Sequence, residues 1–446
     1  MALTLPAHPD PLADRLHGSG LLQELAHGLG GPFHYLLPHR FDAHVAAFRA
    51  ALSDAGVEGR IYYAKKANKA AVFVDRCAVH GCGVDVASLG ELGDALGHGV
   101  RGDDLAVTGP AKSDALLRTA VLHGALIAVD ALDELDRVLA LGVPRPPRVL
   151  LRVHPPAQPG SRFGLGNEEL DEAMGACARA GDHVRMEGFS FHLSGYDVQQ
   201  RAVLAGDLVD LCLKARVLGL QADRIGIGGG FAVDYVSAEA WATFLARQGP
   251  DDFHAGKTFT TGDFYPYHSP VAGAGALRAV LAARTTDAGP TLAQRLRQAG
   301  VMLLLEPGRA LLDRAGASVF GVQGVKDRNG YGIVTVDGTS LSLSEQWFNS
   351  EYLPDPELLP SPVRPRKPMP YRACIAGASC LDSDLLTWRK VAFPVRPQTG
   401  DLIVYPNTAG YQMDSNESSF HELPLPPKVV IDFPDAPDRP RWRLDR

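Results

Sequence analysis

Several features that mark special classes of protein are missing from this sequence of 446 residues. Its six cysteines are scattered and form no C-x-x-C pair, which disfavours both a structural zinc site and a disulfide framework. No apolar run approaches the roughly 20 residues that a membrane-spanning helix needs. Lys and Arg number 44 against 51 Asp and Glu, and the resulting net charge of −7 disfavours a protein that coats nucleic acids or membranes.

The beginning of the chain also lacks a basic segment followed by an apolar one, the pattern of a secretory signal. A reducing cytoplasm is therefore the expected compartment, and most of the thiols are expected to be small buried groups. Hydrophobic residues make up 46% of the chain, which is enough to build large cores. We expect a cytoplasmic protein whose partner is a small molecule, with no metal, no nucleic acid and no membrane.

Short apolar runs alternate with helix-length segments through the middle of the chain. Near-continuous apolar strands between helices are typical of parallel strands covered on both faces. Eight such units over about 250 residues predict a (β/α)8 barrel of the TIM type, with a doubly wound open sheet as the alternative. The predicted strands are 60–64, 84–87, 105–108, 125–129, 148–153, 188–192, 224–228 and 301–305.

The pattern changes after Arg309, where β-like runs are separated by Gly and Asn turns. We predict an α/β fold followed by a β fold, in three parts. Residues 1–38 form an N-terminal segment that adds a strand to the β domain, 39–308 form the barrel, and 309–446 form a C-terminal β-sandwich or β-barrel. The segment 249–275 interrupts the barrel alternation, and a stretch of that length is either a lid or a surface insertion.

Two elements of the predicted barrel carry residues suited to holding a cofactor. Lys65 and Lys66 end the first strand, where neighbouring side chains point to opposite faces, so only one of them can enter the barrel. An inward lysine is desolvated, which should lower its amine pKa and suit it to Schiff-base formation; a solvated strand-end lysine is the alternative. Three glycines, 228–230, follow a late strand and either bind phosphate through backbone N–H groups or form a tight turn.

A carboxylate and a thiol supply further candidates. Glu306 ends an apolar strand at the barrel mouth, where a carboxylate is costly without a partner, and Arg309 is either structural or a phosphate ligand. In the predicted β domain, Cys380 shares a Gly/Ser loop with Asp382 and Asp384. This loop is either an acid with its recognition partners or a buried Cys beside a turn.

In order and spacing, these motifs resemble the fold-type III pyridoxal-phosphate decarboxylases, the group of diaminopimelate, ornithine/arginine and carboxynorspermidine decarboxylases. The resemblance extends over most of the chain, from Phe33 to Met413. The matching elements are Tyr-Ala-Lys-Lys-Ala-Asn at 63–68, Asp85 to Glu91, Arg152, SRFGL at 161–165, FHLSG at 191–195, the glycines 228–230, Glu-Pro-Gly-Arg at 306–309, Cys380 with Asp384, and Tyr411.

The resemblance implies pyridoxal 5'-phosphate as the cofactor and assigns a role to each matching residue. Lys66, rather than Lys65, is expected to form the Schiff base. His192 is expected to stack on the pyridine ring, Glu306 to keep the pyridine nitrogen protonated, and Cys380 to donate a proton to Cα. Cofactor contacts are expected from Lys66, Asp85, Arg152, His192, Ser194, Gly228, Gly229, Gly230, Glu306, Arg309 and Tyr411, and substrate contacts from Cys380, Asp382 and Asp384.

Three departures from the family pattern indicate a divergent member. The usual His-x-Gly-Ser reads His-Leu-Ser-Gly at 192–195, and Leu381-Asp382 replaces the Glu-Ser that follows the Cys in diaminopimelate decarboxylases. The segment 341–351 also contains no Arg matching the one that often holds a distal carboxylate. Meso-diaminopimelate is therefore disfavoured as the substrate.

The resemblance implies decarboxylation of an amino acid or an amino-acid conjugate, diamino-acid-like, by a homodimer in which Cys and Asp reach into the partner's site. An amino-acid racemase on the same fold is a second reading, disfavoured because Glu306 stands where racemases usually place an Arg. A non-catalytic cofactor-binding protein is a third reading, disfavoured by the region from Cys380 to Tyr411.

Overall fold

The structure is a computed structural model that describes residues 3–343, 350–361, 366–433 and 440–446. Most of the segment 341–351 lies outside these ranges. Within them, no helix is both long and apolar enough to cross a membrane. The α-helices are α1 (Pro11–Gly18), α2 (Leu21–Leu29), α3 (Pro38–Asp54), α4 (Ala71–His80), α5 (Leu89–Gly97), α6 (Asp114–His123), α7 (Leu132–Leu139), α8 (Asn167–Ala180), α9 (Val198–Val217), α10 (Ala238–Arg247), α11 (Gly273–Ala282) and α12 (Leu292–Ala299).

The strands fall into a closed barrel and a second sheet. In chain order they are β1 (Phe33–Leu36), β2 (Gly59–Ala64), β3 (Gly83–Val86), β4 (Leu105–Val107), β5 (Leu126–Val129), β6 (Arg148–Arg152), β7 (Arg185–Ser190), β8 (Arg224–Gly226), β9 (Met302–Leu305), β10 (Gly316–Arg328), β11 (Tyr331–Val336), β12 (Glu357–Leu359), β13 (Tyr371–Ala376), β14 (Leu385–Phe393), β15 (Leu402–Tyr405), β16 (Lys428–Asp432) and β17 (Arg441–Leu444).

Strands β2 to β9 form the barrel, in which every neighbouring pair is parallel. Strand β9 pairs with β2, from Gly59 opposite Leu303 onward, and this closure excludes the open-sheet alternative. The predicted (β/α)8 barrel is therefore confirmed. A small apolar cluster fills part of the interior, and the larger core lies between the strands and the surrounding helices. The interior cluster contains Tyr62, Ala106, Leu126, Leu150 and Leu304.

The second sheet is a curled, nine-stranded, mostly antiparallel layer that follows the barrel in the chain. Strand β1 lies inside it, antiparallel to β10 and parallel to β16, so that His34 pairs with both Ser318 and Lys428. The N-terminal segment therefore crosses to this sheet before the chain enters the barrel. The predicted combination of a barrel and a β-rich second unit is confirmed.

The segment 249–275 joins the barrel to strand β14. Phe253 forms an isolated bridge with Arg389, and the Lys257 ammonium lies 3.9 Å from the centre of the Trp388 ring. Phe253, Phe259 and Phe264 are buried and contact one another edge-on or tilted. This segment is therefore a packed connection between the two units rather than a loose surface insertion.

Candidate active site

A cavity of about 370 Å³ opens at the carboxyl ends of the barrel strands. Because all eight strands are parallel, residues that end different strands meet at this one mouth, where barrel sites are commonly built. Lys66 follows β2, Arg152 ends β6, Ser190 ends β7 and Glu306 follows β9. The lining residues are Lys66, Ala87, Thr108, Gly109, Pro110, Ala128, Arg152, Phe163, Ser190, Phe191, His192 and Glu306.

The two adjacent lysines point in different directions. The Lys66 amine donates to Asp85 Oδ2 at 2.9 Å inside the mouth, whereas the Lys65 amine pairs with Asp94 at 2.8 Å behind it. Thr108 Oγ1 donates to the other oxygen of Asp85 at 2.6 Å, which orients the carboxylate toward Lys66. The lysine that enters the cavity is thus the one matched by the family motif.

The charge state of Lys66 differs from the expectation. Burial disfavours the charged amine, but the carboxylate of Asp85, helped by Tyr411 and Glu306, outweighs it and raises the pKa of Lys66 above its ordinary value. The prediction of a lowered pKa was wrong because it considered desolvation without a buried anion in hydrogen-bond contact.

Glu306 and His192 face the same cavity with shifted proton equilibria. Burial, reinforced by the charge of Asp85, raises the pKa of Glu306 to about 7, against the opposing effect of Lys66 and Arg152. Burial and the nearby Lys66 lower the pKa of His192 to about 3, so the imidazole is neutral at physiological pH. A neutral ring can lie flat against another ring without a repulsive charge.

Arg152 is held at the mouth by contacts on two sides. Its guanidinium donates to Asp130 Oδ1 at 3.1 Å and lies 4.3 Å from the centre of the Phe163 ring. Asp130 also accepts from the backbone N–H of Gly164 at 3.2 Å. These contacts link SRFGL to the end of β6, and Asp130 is a contributor that the sequence reasoning missed.

The three glycines 228–230 form a tight cup beside His192. Gly228 and Gly230 have φ of 64° and 75°, a region in which side chains are strained. A Cβ on Gly228 would lie 2.6 Å from His192 Nδ1, and one on Gly229 would lie 2.8 Å from the carbonyl oxygen of Glu306. Only glycine therefore fits at these positions without displacing its neighbours.

A buried arginine that the sequence reasoning missed supports the glycine cup from behind. Arg201 on α9 is 2% exposed and donates to the carbonyl oxygens of Ile227 at 2.9 Å, Gly195 at 3.2 Å and Gly230 at 3.4 Å. Burial lowers its pKa to about 10. It therefore places a positive charge close behind the cup. A single Arg on an apolar helix face was the only sequence signal.

Ser194 and its loop line a second cavity of about 520 Å³ that adjoins the first. The Ser194 backbone exchanges hydrogen bonds with the Gln158 side chain at 3.1 and 2.9 Å, and the serine is exposed. The two cavities share Arg152, Phe163 and His192. Ser194 is therefore near the site, and its predicted phosphate contact stays a prediction.

Arg309 and Tyr411 contact each other close to Lys66. Arg309 donates to the carbonyl oxygen of Gly410 at 3.2 Å, and its guanidinium lies 4.2 Å from the Tyr265 ring and 5.0 Å from the Tyr411 ring. The Tyr411 N–H donates to the carbonyl oxygen of Ala67 at 2.8 Å, beside Lys66. Tyr265, from segment 249–275, was also missed by the sequence reasoning.

The loop of Cys380, Asp382 and Asp384 lies outside the Lys66 cavity within the described part of the chain. The Asp384 carboxylate is buried and accepts from the backbone N–H of Ser340 at 2.7 Å and Ser379 at 3.2 Å. The two Asp384 oxygens thus connect its own loop to the segment at Ser340, and the predicted substrate contact of Asp384 stays a prediction. Cys380 and Asp382 are exposed.

The cavity fits the cofactor that the resemblance implies. Ser190 Oγ is buried at its wall and has no hydrogen-bond partner among the described residues, so a polar ligand would satisfy it. An anionic group suits the glycines 228–230, which have the guanidinium of Arg201 behind them. A flat ring with a basic nitrogen suits the neutral His192 and the carboxylate of Glu306.

Comparison with known proteins gives four relevant matches. Residues 39–247 match a family model for the pyridoxal-binding domain of pyridoxal-dependent decarboxylases. The uncharacterized protein y4yA of Sinorhizobium fredii is 38% identical over 427 residues, covering 94% of this chain and 92% of that protein. A diaminopimelate decarboxylase of Actinosynnema pretiosum is 27% identical over 447 residues, covering 94% and 90%. The solved diaminopimelate decarboxylase of M. jannaschii with L-lysine shares the fold, with a TM-score of 0.73 at 18% identity, covering 92% of this chain and 89% of that one.

Proposed function

The chain belongs to the fold-type III pyridoxal-dependent decarboxylases, and within this family we propose that Lys66 binds the cofactor and Cys380 protonates the product. It is a pyridoxal-phosphate-dependent enzyme that decarboxylates an amino acid. The observation that carries the proposal is the meeting of Lys66, His192 and Glu306 in one cavity at the carboxyl ends of the barrel strands.

Each cavity residue has a task that its geometry supports. Lys66 supplies the amine that takes the cofactor's aldehyde, and Asp85 holds that amine at 2.9 Å. His192 would lie against the cofactor ring. Glu306 would stabilise a proton on the ring nitrogen, since a close anion favours the charged form. Bound pyridoxal phosphate supplies an electron sink for the electron pair left at Cα when carbon dioxide departs.

The phosphate is proposed to lie in the glycine cup 228–230. Arg201 donates to the carbonyl oxygen of Gly230 and supplies positive charge behind the cup, and Arg309 and Tyr411 are proposed as further phosphate contacts. Backbone N–H groups in such a concavity bind phosphate without a side chain in the way. Ser194 is proposed as a further contact, reached by the loop that Gln158 holds.

The proton donor is proposed to come from a second copy of the chain. Cys380 is exposed, and neither it nor Asp382 lines the cavity of its own chain among the described residues. A homodimer in which each Cys380 enters the partner's cavity supplies the missing acid. Asp382, exposed beside Cys380, is then the candidate contact for a substrate ammonium group.

The substrate is proposed to be an amino acid or an amino-acid conjugate rather than meso-diaminopimelate. The second cavity, of about 520 Å³, leaves room beside the reacting centre for a side chain or a conjugated group. Its walls include Arg152 and Arg162, so the distal part of the substrate would pass cationic groups on the way in.

Two experiments test the proposal. Borohydride reduction of the loaded protein, followed by digestion and mass spectrometry, should place the pyridoxyl group on Lys66. The matched Lys65→Ala variant should still be labelled and Lys66→Ala should not; a label on Lys65 would overturn the assignment.

Proton NMR in deuterated water with L- and D-amino acids then identifies the reaction. An amine carrying one deuterium at the former Cα supports decarboxylation and names a substrate. Deuterium at Cα with the carboxylate retained would contradict the proposal.

A further inference from the structure

We propose that His421 is the acid–base partner of Cys380, so that the proton given to Cα is replaced from solvent through the imidazole. This inference rests on the proposed function, in which Cys380 is the proton donor. His421 is not part of any motif that the family resemblance supplied. The pairing comes from the tertiary structure alone.

The contact between the two side chains is direct. Cys380 Sγ lies 3.0 Å from His421 Nε2, and the Cys380 backbone N–H points to the same nitrogen at 3.5 Å. Two donors directed at Nε2 place the hydrogen of the neutral imidazole on Nδ1. Nε2 is then an acceptor facing the thiol, so a proton can pass between Sγ and Nε2 in either direction.

The backbone of the His421 segment supports this placement. His421 and Glu422 both have φ of 59°, an uncommon conformation for non-glycine residues. Two such residues in succession turn the chain so that the imidazole faces the loop of Cys380. The Phe420 and His421 rings have centroids 4.2 Å apart, which restricts the imidazole further.

Most of the other ionisable side chains on the Cys380 loop and on the segment that carries His421 interact with groups other than the Cys380 thiol. On the thiol's loop, Asp384 is held by backbone N–H groups, and Asp382 is exposed. On the histidine's segment, Glu417 binds Lys69, Asp414 binds Lys428 and Glu422 is exposed. Among the described residues, His421 is the titratable side chain in hydrogen-bond contact with the Cys380 thiol.

Water supplies the proton that restores the Cys380 thiol after each turnover. Loss of carbon dioxide leaves an electron pair at Cα, the thiol proton forms the new C–H bond, and a thiolate remains on Cys380. Nε2 of the neutral His421 imidazole, which is exposed on the single chain, takes a proton from solvent and passes it to the thiolate, which restores the thiol. One proton is consumed for each carbon dioxide released, and no oxidant or reductant is involved.

The test measures thiol reactivity rather than turnover. Holoenzyme is treated with iodoacetamide across a range of pH, and the alkylation rate of the Cys380 peptide is followed by mass spectrometry. The other five cysteines are buried, so they serve as slow internal references. The variants are His421→Gln, which keeps a polar side chain but does not titrate, and His183→Gln, an exposed histidine elsewhere, as the matched control.

We expect Cys380 of the wild type and of His183→Gln to react at about pH 6 roughly 10-fold or more faster than Cys380 of His421→Gln, since a histidine partner raises the thiolate fraction at low pH. At high pH, where the thiol ionises in every variant, the rates should converge. Identical pH profiles in wild type and His421→Gln would overturn the proposal. A His421→Gln rate reduced equally at every pH would also overturn it, since that pattern indicates altered access.

A separate variant distinguishes failure of the pair from failure of the proposed function. If Cys380→Ala keeps full turnover with normal deuterium incorporation at Cα, Cys380 is not the donor, whatever the alkylation profile shows. If Cys380→Ala loses turnover and the two alkylation profiles coincide, Cys380 is the donor and His421 is not its partner.

Discussion

Removing the negative charge next to Lys66 should make the apoprotein capture its cofactor faster. Asp85→Asn keeps the size of the side chain, and Thr108 still has an oxygen to donate to, so the amide should keep its place. The nucleophile in capture is the neutral amine, and Asp85 is the main reason why the pKa of Lys66 is raised. Without that carboxylate, burial should lower the pKa of the amine.

The expected fall in the pKa of Lys66 follows from the loss of one hydrogen bond. A bond between charged partners such as Lys66 Nζ to Asp85 Oδ2 at 2.9 Å contributes about 1.5–3 kcal/mol. Since one pKa unit corresponds to about 1.4 kcal/mol, the pKa of Lys66 should fall by roughly one to two units. At a pH where the Lys66 amine is mostly protonated, the fraction of neutral amine then rises roughly 10- to 100-fold. The rate of cofactor capture should rise with that fraction.

The assay mixes apoprotein with pyridoxal phosphate and follows the visible absorbance of the bound cofactor as a function of pH. Asp94→Asn is the matched control, because it removes the partner of Lys65 and leaves Lys66 untouched. We expect the rate profile of Asp85→Asn to shift to lower pH and that of Asp94→Asn to stay with the wild type. Coincident profiles, or slower capture by Asp85→Asn at every pH, would refute the reasoning.

Three further predictions concern the barrel, the glycine cup and the second sheet. Glu187→Gln should lower the free energy of unfolding by roughly 3–5 kcal/mol in urea titrations, because it leaves the buried guanidinium of Arg148 without the carboxylate it binds at 2.7 Å; an unchanged midpoint would contradict this. Gly230→Ala should weaken pyridoxal-phosphate binding about 10-fold in equilibrium dialysis, because its Cβ would overlap the Arg201 guanidinium and φ of 75° adds roughly 1–2 kcal/mol of strain. Burial lowers the pKa of His34 to about 3, so below about pH 6.5 the unfolded chain binds a proton that the folded chain does not. The free energy of unfolding of the wild type should therefore fall by about 1.4 kcal/mol per pH unit relative to that of His34→Asn. Parallel curves of unfolding free energy against pH for the two proteins would contradict this.

Local sequence patterns were sufficient to predict the architecture. Alternating apolar strands and helix-length segments led to a parallel barrel because burial on both faces leaves a signal within each short run. The same reading placed Lys66, Arg152 and Glu306 at strand ends, and a parallel barrel brings strand ends to one mouth. Their assignment to the cofactor remains a prediction, although their side chains line one cavity.

Contacts between distant segments could not be predicted in the same way. Arg201 supports a glycine 29 positions away, and Tyr265 and Tyr411 flank Arg309 from two different segments. A local sequence pattern cannot predict such contacts, because each of these side chains, taken alone, resembles an ordinary core or surface residue.

The sequence by itself determined which strands form, how they alternate with helices and which lysine carries the family motif. Only the tertiary structure decided the electrostatic state of Lys66, since burial lowers its pKa and the nearby anionic groups, above all the Asp85 carboxylate on the next strand, outweigh that effect. The fold likewise placed His421 against Cys380, 41 positions away. Strand formation depends on short-range burial patterns, whereas the proton equilibria of a site depend on charges that only the folded chain brings within a few ångströms of one another.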